Sequence, residues 1–559
     1  MRMLHRGGNA VDAGVAAMFA ASIAEYSHFG FGGEAPLLIR TKDGKVHSIA
    51  GIGTMPQSAT AAYFRSRRIA QGEIMALEPG GLKGIIPVAG LMPALVPGMI
   101  DAGLLALREF GTVSFEDAIM PAVELADGMP LDETRAGAIL RSRRFFELWP
   151  VSRSTFLPEG TVIRPGEIFS QPKLARTMRA MIEAERQARK AGGGRAAAID
   201  AVRDFFYRGE IARAIDAFSK ANGGLLRYED MAAFRLEVEE PLSTTYNGYT
   251  VYKPGFWSQG PVLLQALNII EGLDLGQLPH NSTDYLHRLA EAMKLAYADR
   301  DTYYGDPRFV QVPGDRLLSK EYAALRRAQI SNSASFDFKP GVIDGRPGKH
   351  PSDSEQTQAR IDDALMARDT TCVTAVDRDG VMFSATPSGA WLPSVIAGET
   401  GIPLTQRAQS FLLTPGHPNE LAGGKRPRIT LSPTLVTRNG QPSMVLSTPG
   451  GDNQDQSLIQ ILLNVIEYRM NAQNAIEAAR FQTRHLVSSF DNHAMNRGDL
   501  LLDERIATNV FNELTDRGHK TATRPRWNSG AHPVLIRVLP NGVLEAGTDP
   551  WGHRSAQAW

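Results

Sequence analysis

The chain has 559 residues, with 60 Lys and Arg balancing 60 Asp and Glu, 43% hydrophobic and 21% charged positions. At about 150 residues per domain it has room for two large domains or three or four small ones. The even charge offers no field to gather nucleic acid or an anionic membrane surface, so neither is an expected partner. Its single cysteine, Cys372, excludes an internal disulfide and any multi-cysteine zinc or iron–sulfur site. The most apolar stretches, 13–24 and 84–99, are too short or are broken by Pro87, Pro93 and Pro97, against the roughly 20 unbroken residues of a spanning helix. The start, Met1 to Arg6, runs into Gly7-Gly8 without an apolar signal core, so the chain as written is expected to be cytoplasmic.

Residues 9–25, rich in Ala with Val11, Val15, Phe19 and Ile23 among small residues, predict a helix buried on most faces. The turn Gly30-Phe31-Gly32-Gly33 follows. Segments 37–40 and 46–50 flank Lys42-Asp43-Gly44-Lys45, a hairpin signal because Asp-Gly supplies the positive φ of a tight turn. Ser114 is placed to cap a helix over 115–127, with Asp117 in the capping-box position and Pro121 as a bend. Ser282 opens a helix over 283–297 with Leu286, Leu289, Met293 and Ala296 on one face and charges on the other. Pro and Gly then crowd 340–351 and a polar run fills 352–369, which reads as a long exposed connector. Directly after it, 370–376 alternates as a strand, Asp377-Arg378-Asp379-Gly380 turns, and 381–385 returns. A second pair, 432–437 and 442–447, surrounds Arg438-Asn439-Gly440. Thr448-Pro449-Gly450-Gly451-Asp452 and an apolar helix over 458–470 follow, and a last hairpin joins 534–538 to 543–546. Hairpins mixed with helices, without βαβ repeats, predict an α+β fold of antiparallel sheets covered by helices.

The common catalytic patterns GxSxG, HExxH and GxxxxGK[ST] are missing, and Gly30 to Gly33 precede a strand where a dinucleotide fold needs a helix. No two of the 12 His stand i, i+4 around a carboxylate, so neither a metal nor a cofactor is expected. Asp369-Thr370 stands out by its place between the connector and a strand. Were that bond cut, Thr370 would carry a hydroxyl and an α-amine of pKa near 7.7–8.0, nucleophile and base on one residue. The plainer reading is a β-branched pair opening a strand. Gly450 and Gly451, between strand and helix, can turn backbone amides toward a developing oxyanion, or form an ordinary left-handed turn. Ser388 ends the strand paired with the one that Thr370 opens, where its hydroxyl can return to the nucleophile. Cys372 reads as a small buried hydrophobe.

Taken in order, Gly7-Gly8-Asn9-Ala10-Val11-Asp12-Ala13, the Pro97 to Gly128 segment, Ala290-Glu291-Ala292, Ala296-Tyr297-Ala298-Asp299-Arg300, Gly305-Asp306-Pro307, Thr370-Thr371, Lys425-Arg426-Pro427, Ser432-Pro433-Thr434, Pro449-Gly450-Gly451 and Asp549-Pro550 resemble the γ-glutamyltranspeptidase family of N-terminal nucleophile hydrolases. The resemblance implies a four-layer αββα sandwich, made as a precursor that cuts itself between Asp369 and Thr370. It implies a large piece, 1–369, and a small piece, 370–559, which remain together as a heterodimer, with a dimer of heterodimers left open. Thr370 would form an acyl-enzyme with a small-molecule amide, the amides of Gly450 and Gly451 would hold the oxyanion, and Ser388 would support the nucleophile. Members of the family usually begin further upstream, which leaves a periplasmic or secreted location open if the N-terminus is truncated.

The departures fall where the family grips the γ-glutamyl group. Its carboxylate-binding arginine falls near Ile52, its acidic pair becomes Gln409-Ser410, its tandem serines become Ile429-Thr430, and its asparagine becomes Ala390. Gln409, Ser410, Thr430 and Asp452 are the expected substrate contacts, with Trp391 as an aromatic wall against the acyl chain in a more open, less polar pocket. The expected activity is thus a self-processing amidohydrolase or acylase whose acyl group is not a standard γ-glutamyl. A true γ-glutamyltranspeptidase anchored by Arg407 or Arg428, and a non-catalytic binding protein on the same fold, are the alternatives.

Overall fold

The computed structural model describes residues 1–70, 73, 84–351, 370–490, 493–528, 530–552 and 554–558. Among these, two main sheets carry the architecture. The five-stranded sheet runs in the order Val373–Val376, Met382–Ala385, Leu37–Arg40, Val46–Ile49 and Val238–Glu239, all antiparallel. The six-stranded sheet runs Leu544–Thr548, Val534–Val538, Gln441–Ser447, Thr434–Arg438, Tyr249–Lys253 and Leu242–Tyr246, again antiparallel. The hairpins around Gly44, Gly380, Gly440 and Gly542 thus form as their turn residues dictate, and the α+β class holds.

The two sheets meet through Leu38, Val46, Val376, Met382, Leu435 and Val445, a compact apolar seam. Hydroxyls stitch it at one end. Ser384 Oγ donates to Leu446 O at 2.9 Å, Ser447 Oγ donates to Ala385 O at 2.9 Å, and Thr386 Oγ1 lies 2.8 Å from Ser447 Oγ. The ends of Met382–Ala385 and Gln441–Ser447 are therefore held side by side, together with the turns that leave them.

Helix Ala10–Ala24 covers the outer face of the five-stranded sheet. Asn9 caps it by accepting from Val11 N and Asp12 N, and Asp12 returns a carboxylate oxygen to Asn9 N at 2.8 Å, a full capping box. Asp12 also takes Thr112 Oγ1 at 2.6 Å, which explains an acidic side chain inside an otherwise apolar helix. Ser114 caps Phe115–Asp127 through Asp117 N at 3.0 Å, and Pro121 lies inside that helix.

Three expectations change. The strand predicted over 370–376 spans only Val373–Val376, because Pro387 opposite Thr371 has no N–H to return; Thr371 N donates to Pro387 O at 2.9 Å and the ladder stops there. The helix predicted over 458–470 is Gln454–Ile466, opening on the fully buried Gln454, Asp455, Gln456 and Ser457. The helix opened by Ser282 runs to Tyr303, and its charged face is not solvated: Glu291, Lys294, Asp299, Arg300 and Asp301 are all buried. Lys294 Nζ pairs with Glu291 at 2.6 Å, while Asp299 takes Tyr322 OH at 2.9 Å and Gly341 N at 2.7 Å. The described first half of the predicted connector stays largely exposed, with only Gly341 and Ile343 buried and a short pairing of Val342–Ile343 with Arg346–Pro347. Residues 352–369, including Asp369, lie outside the described residues.

Candidate active site

Thr370 precedes its strand at the end of the sheets that the hydroxyl stitches hold. It is buried, and its Oγ1 donates to Ser388 Oγ at 3.2 Å. Arg554, near the C-terminus, donates to Thr370 O at 3.2 Å and to Thr371 Oγ1 at 3.1 Å. Cys372 is only half-buried, with its Sγ 3.9 Å from His532 O, so it does not fill the small-hydrophobe place expected of it.

The neighbouring strand of the other sheet ends in Thr448-Pro449-Gly450-Gly451. Gly450 has φ 124° and Gly451 φ 55°, both in the region that side chains avoid. A Cβ on Gly450 would stand 2.5 Å from Gly530 O, so even alanine does not fit. The turn is held from beneath: Gln259 Nε2 donates to Gly451 O at 3.1 Å, and Tyr297 OH donates to Asp452 O at 2.5 Å. The Asp452 carboxylate accepts from Arg300 Nη1 at 2.5 Å, Ser489 Oγ at 2.6 Å and Ser489 N at 2.9 Å. Burial pushes that carboxyl up, but Arg300, Arg428 and Ser489 outweigh it and hold it below the usual carboxylate range. Its oxygens are thus engaged inside the protein, where Asp452 supports the turn.

The third wall comes from 388–411. Ser388 and Glu34 exchange backbone hydrogen bonds at 2.9 Å each, and Gly33 sits so close that a Cβ there would meet Ser388 O at 2.4 Å. The Glu34 carboxylate accepts from Arg407 Nε and, at 2.8 Å, from Thr405 Oγ1. The Arg407 guanidinium lies over the Trp391 ring, 4.8 Å from its centroid, so one face of the expected aromatic wall is already covered. The same guanidinium is 5.8 Å from the centroid of Phe490, whose ring edge stands 3.1 Å from the Cβ position of Gly451. Gln409 and Ser410 occupy the short turn Arg407–Ser410, and Gln409 Oε1, Ser410 Oγ, Thr430 Oγ1 and Trp391 Nε1 are buried without a hydrogen-bond partner among the described residues. Thr430 follows Ile429, whose backbone pairs with Gln259 N at 2.8 Å. Ile52 is fully buried in the apolar core, and Ala390 is buried with φ 50°.

Sequence reasoning missed Glu34, Gln259, Ser489, Phe490 and Arg554, each brought in from far along the chain. Tyr297 and Arg300 stood within a quoted motif but were given no role at the site.

Two features lie apart. A cavity of about 1350 Å³ runs along the outer edge of Val373–Val376 toward Gln441–Ser447 and Val534–Val538; it reaches Cys372 but neither Thr370 nor Gly450 lines it. His287, Glu291 and His519 turn ligand atoms toward one another within 4.8 Å. His287 Nε2 faces Ser331 O at 2.8 Å and therefore carries the proton, leaving Nδ1 to accept from His519 Nε2 at 2.9 Å. Lys294 also holds Glu291, so each of the three residues has a hydrogen bond, while His519 Nδ1 is buried without a partner among the described residues.

The Gamma-glutamyltranspeptidase family profile matches residues 1–559. The chain is 31% identical over 550 residues to the acylase ACY 1 proenzyme of Pseudomonas sp. (strain SE83), covering 97% of this chain and 88% of that protein. It is 31% identical over 568 residues to the glutathione hydrolase proenzyme of Escherichia coli (strain K12), covering 98% and 87%. The crystal structure of cephalosporin acylase from Bacillus halodurans superposes with a TM-score of 0.81 at 30% identity, over 98% of this chain and 91% of that one. With the match running from the first residue to the last, this chain belongs to the γ-glutamyltranspeptidase family and is an amide hydrolase or acyltransferase.

Proposed function

We propose that the protein is a self-processing N-terminal threonine amidohydrolase or acylase. It cuts itself between Asp369 and Thr370, and the pieces 1–369 and 370–559 stay together as a heterodimer in one four-layer αββα sandwich. The freed α-amine of Thr370 takes the proton of its own hydroxyl, and Oγ1 attacks the carbonyl carbon of a small amide. The amides of Gly450 and Gly451 hold the oxygen that becomes negative, and the Ser388 hydroxyl donates to Oγ1 as it loses its proton. The amine leaves with the proton held by the α-amine. Water then attacks the acyl-enzyme, releasing the acid, or an amine takes the acyl group.

The observation that carries this reading is the hydrogen bond from Thr370 Oγ1 to Ser388 Oγ at 3.2 Å, at the end of the sheets where the positive-φ turn Gly450-Gly451 also emerges. It is joined by the proenzyme names of the relatives. The acyl group is not a standard γ-glutamyl: Ile52 belongs to the apolar core, and Gln409, Ser410 and Thr430 bring no charge.

Mass spectrometry of the purified protein tests the first step. A small piece beginning at Thr370 is expected, with Thr370→Ala remaining one full-length chain and Thr370→Ser still cut. An intact wild-type chain, or a different new N-terminus, refutes the nucleophile. γ-Glutamyl-p-nitroanilide should be a poor substrate, with kcat/KM below about 10⁴ M⁻¹s⁻¹; rapid γ-glutamyl transfer to glycylglycine refutes the acyl specificity.

A further inference from the structure

We propose that His287, Glu291 and His519 form a binding site for one divalent transition-metal ion of the zinc, cobalt or nickel class, apart from the nucleophile. The site does not depend on the acylase reading.

All three side chains are buried, and one ligand atom from each lies within 4.8 Å of the others. His287 and Glu291 stand four residues apart on helix Thr283–Tyr303, one above the other on the same face, so the helix itself places two of the three ligands. His519 arrives from 232 residues further along, in the turn between helix Thr508–Asp516 and strand Lys520–Arg524, and its Nε2 stands 2.9 Å from His287 Nδ1. Two imidazoles so far apart in the chain show no metal-ligand spacing in the sequence. An ion about 2.0–2.1 Å from both nitrogens would see them at about 90°, the angle between neighbouring ligands of an octahedron. Tetrahedral coordination asks for a separation of about 3.4 Å, which the rings reach by parting about 0.5 Å.

The protons suit this arrangement. His287 Nε2 donates to Ser331 O at 2.8 Å, which keeps its proton on the far nitrogen and turns the Nδ1 lone pair inward. A backbone carbonyl behind the ring is the support that metal-bound imidazoles commonly have. His519 Nε2 donates its proton to that lone pair, while its Nδ1 is buried without a hydrogen-bond partner among the described residues. Moving the His519 proton from Nε2 to Nδ1 therefore breaks only the bond to His287, and it aims both lone pairs at one point. Metal binding replaces that single hydrogen bond by two bonds from nitrogen to the ion, and no proton has to leave the protein.

Glu291 brings the third ligand. One of its oxygens holds Lys294 Nζ at 2.6 Å and the other takes Ser335 N at 3.3 Å; a carboxylate has about four lone-pair sites, so both oxygens keep room for an ion. The Lys294 charge opposes a cation, which sets the affinity at micromolar rather than picomolar. The way in is short, because Ser331 and Ser335, whose backbones touch the cluster, belong to the mostly exposed loop 331–337. His287 and Glu291 lie in 1–369 and His519 in 370–559, so in a self-cut protein the ion would tie the two pieces together; this clause alone rests on the processing reading.

The test is titration of untagged, EDTA-treated and dialysed protein with Co²⁺ and with Zn²⁺, followed by calorimetry and visible absorption. One ion per chain should bind with a Kd of about 10 µM or tighter. Zn²⁺ at about 100 times Kd should raise the melting temperature by about 2 °C, by mass action on a chain of this length. His287→Gln and His519→Gln should each weaken binding at least about 100-fold, since losing even a supporting partner of a ligand costs about 10–100-fold, whereas the exposed control His350→Gln should bind as wild type does. No binding at about 1 mM, or binding unchanged in both variants, overturns the proposal. Where the variants do not fold, X-ray absorption of the wild-type zinc complex decides: two imidazole nitrogens at about 2.0–2.1 Å with a carboxylate oxygen at about 2.0–2.2 Å support the site, and fewer than two imidazoles overturn it. Binding is read on the whole protein without any substrate, so an uncut or inactive chain leaves this test in force. In a cut chain Zn²⁺ should slow the separation of the two pieces in urea, and an unchanged rate refutes the tie between them.

Discussion

Asp452→Asn separates a support of the glycine turn from a contact to substrate. The native carboxylate takes Arg300 Nη1 at 2.5 Å and Ser489 Oγ at 2.6 Å on one oxygen and Ser489 N at 2.9 Å on the other. An asparagine of the same shape can offer its oxygen to Arg300 only by turning its NH₂ against the Ser489 N–H. A hydrogen bond to a charged group contributes about 1.5–3 kcal/mol, and a buried donor left without an acceptor costs about 1–3 kcal/mol. The loss therefore amounts to about 3–5 kcal/mol, shared between global stability and the placement of the turn. A displacement of about 1 Å in a catalytic group costs on the order of 10²-fold in rate. With any hydrolysed p-nitroanilide, Asp452→Asn should lower kcat about 10–100-fold, leave KM within about twofold, and lower the melting temperature. A residue that contacts substrate equally in ground and transition states would instead raise KM at constant kcat. That result, or unchanged kcat together with unchanged melting, refutes the reasoning.

Three further outcomes are expected. Ser388→Ala removes one neutral hydrogen bond to Thr370 Oγ1, worth about 0.5–1.5 kcal/mol, so steady-state kcat should fall roughly 2- to 12-fold; equality with wild type would remove Ser388 from the mechanism. Arg554→Met frees Thr370 O and Thr371 Oγ1 from a charged donor and should slow both self-cleavage on a time-course gel and turnover by about tenfold, whereas wild-type rates in both assays would make the tail a bystander. Asp306 is paired with Arg426 at 2.9 Å; burial pushes its carboxyl up, but Arg426 and Arg308 hold it down at about 2 against 3.8 unfolded. Because the folded value is the lower one, its contribution of about 2 kcal/mol is present above pH 4 and is lost as pH falls toward 2, so the acid transition of Asp306→Asn should be shallower than that of wild type in circular dichroism.

What the sequence makes legible here is what lies within a few residues. Asp43-Gly44, Asn439-Gly440 and Asn541-Gly542 each fix a hairpin, because the positive φ and the two flanking alternations sit in one short window. Ser114 and Ser282 mark helix starts for the same reason, since the cap and the amide it accepts from are three residues apart. The ends of strands are less legible. Whether 370–372 pair depends on Pro387, which lies in another segment and has no proton to give.

Burial of charge is decided wholly at long range, and this is where local reasoning inverts. In Thr283–Tyr303 a stripe of charges opposite a stripe of leucines reads as a solvated face. Yet Arg300 reaches Asp452, 152 residues later, and Asp299 is covered by Tyr322 and Gly341. A signal was present: Tyr297 and Ala298 stand among those charges, so apolar residues encircle the helix near its C-terminal end, as they do not on a helix with one wet face. Glu34 and Arg407 gave a weaker signal of the same kind. Glu34 follows a run of glycines and precedes Ala35-Pro36-Leu37, a place with no apolar period to break, and its partner is 373 residues away. In sequence Glu34 is an ordinary surface charge and Arg407 a candidate anchor with no partner in view; a buried pair is costly unless every donor is met. Here Glu34 is met by Arg407 and Thr405 while Nη2 of Arg407 stays unmet among the described residues, a balance set by contacts hundreds of residues apart that no local pattern records.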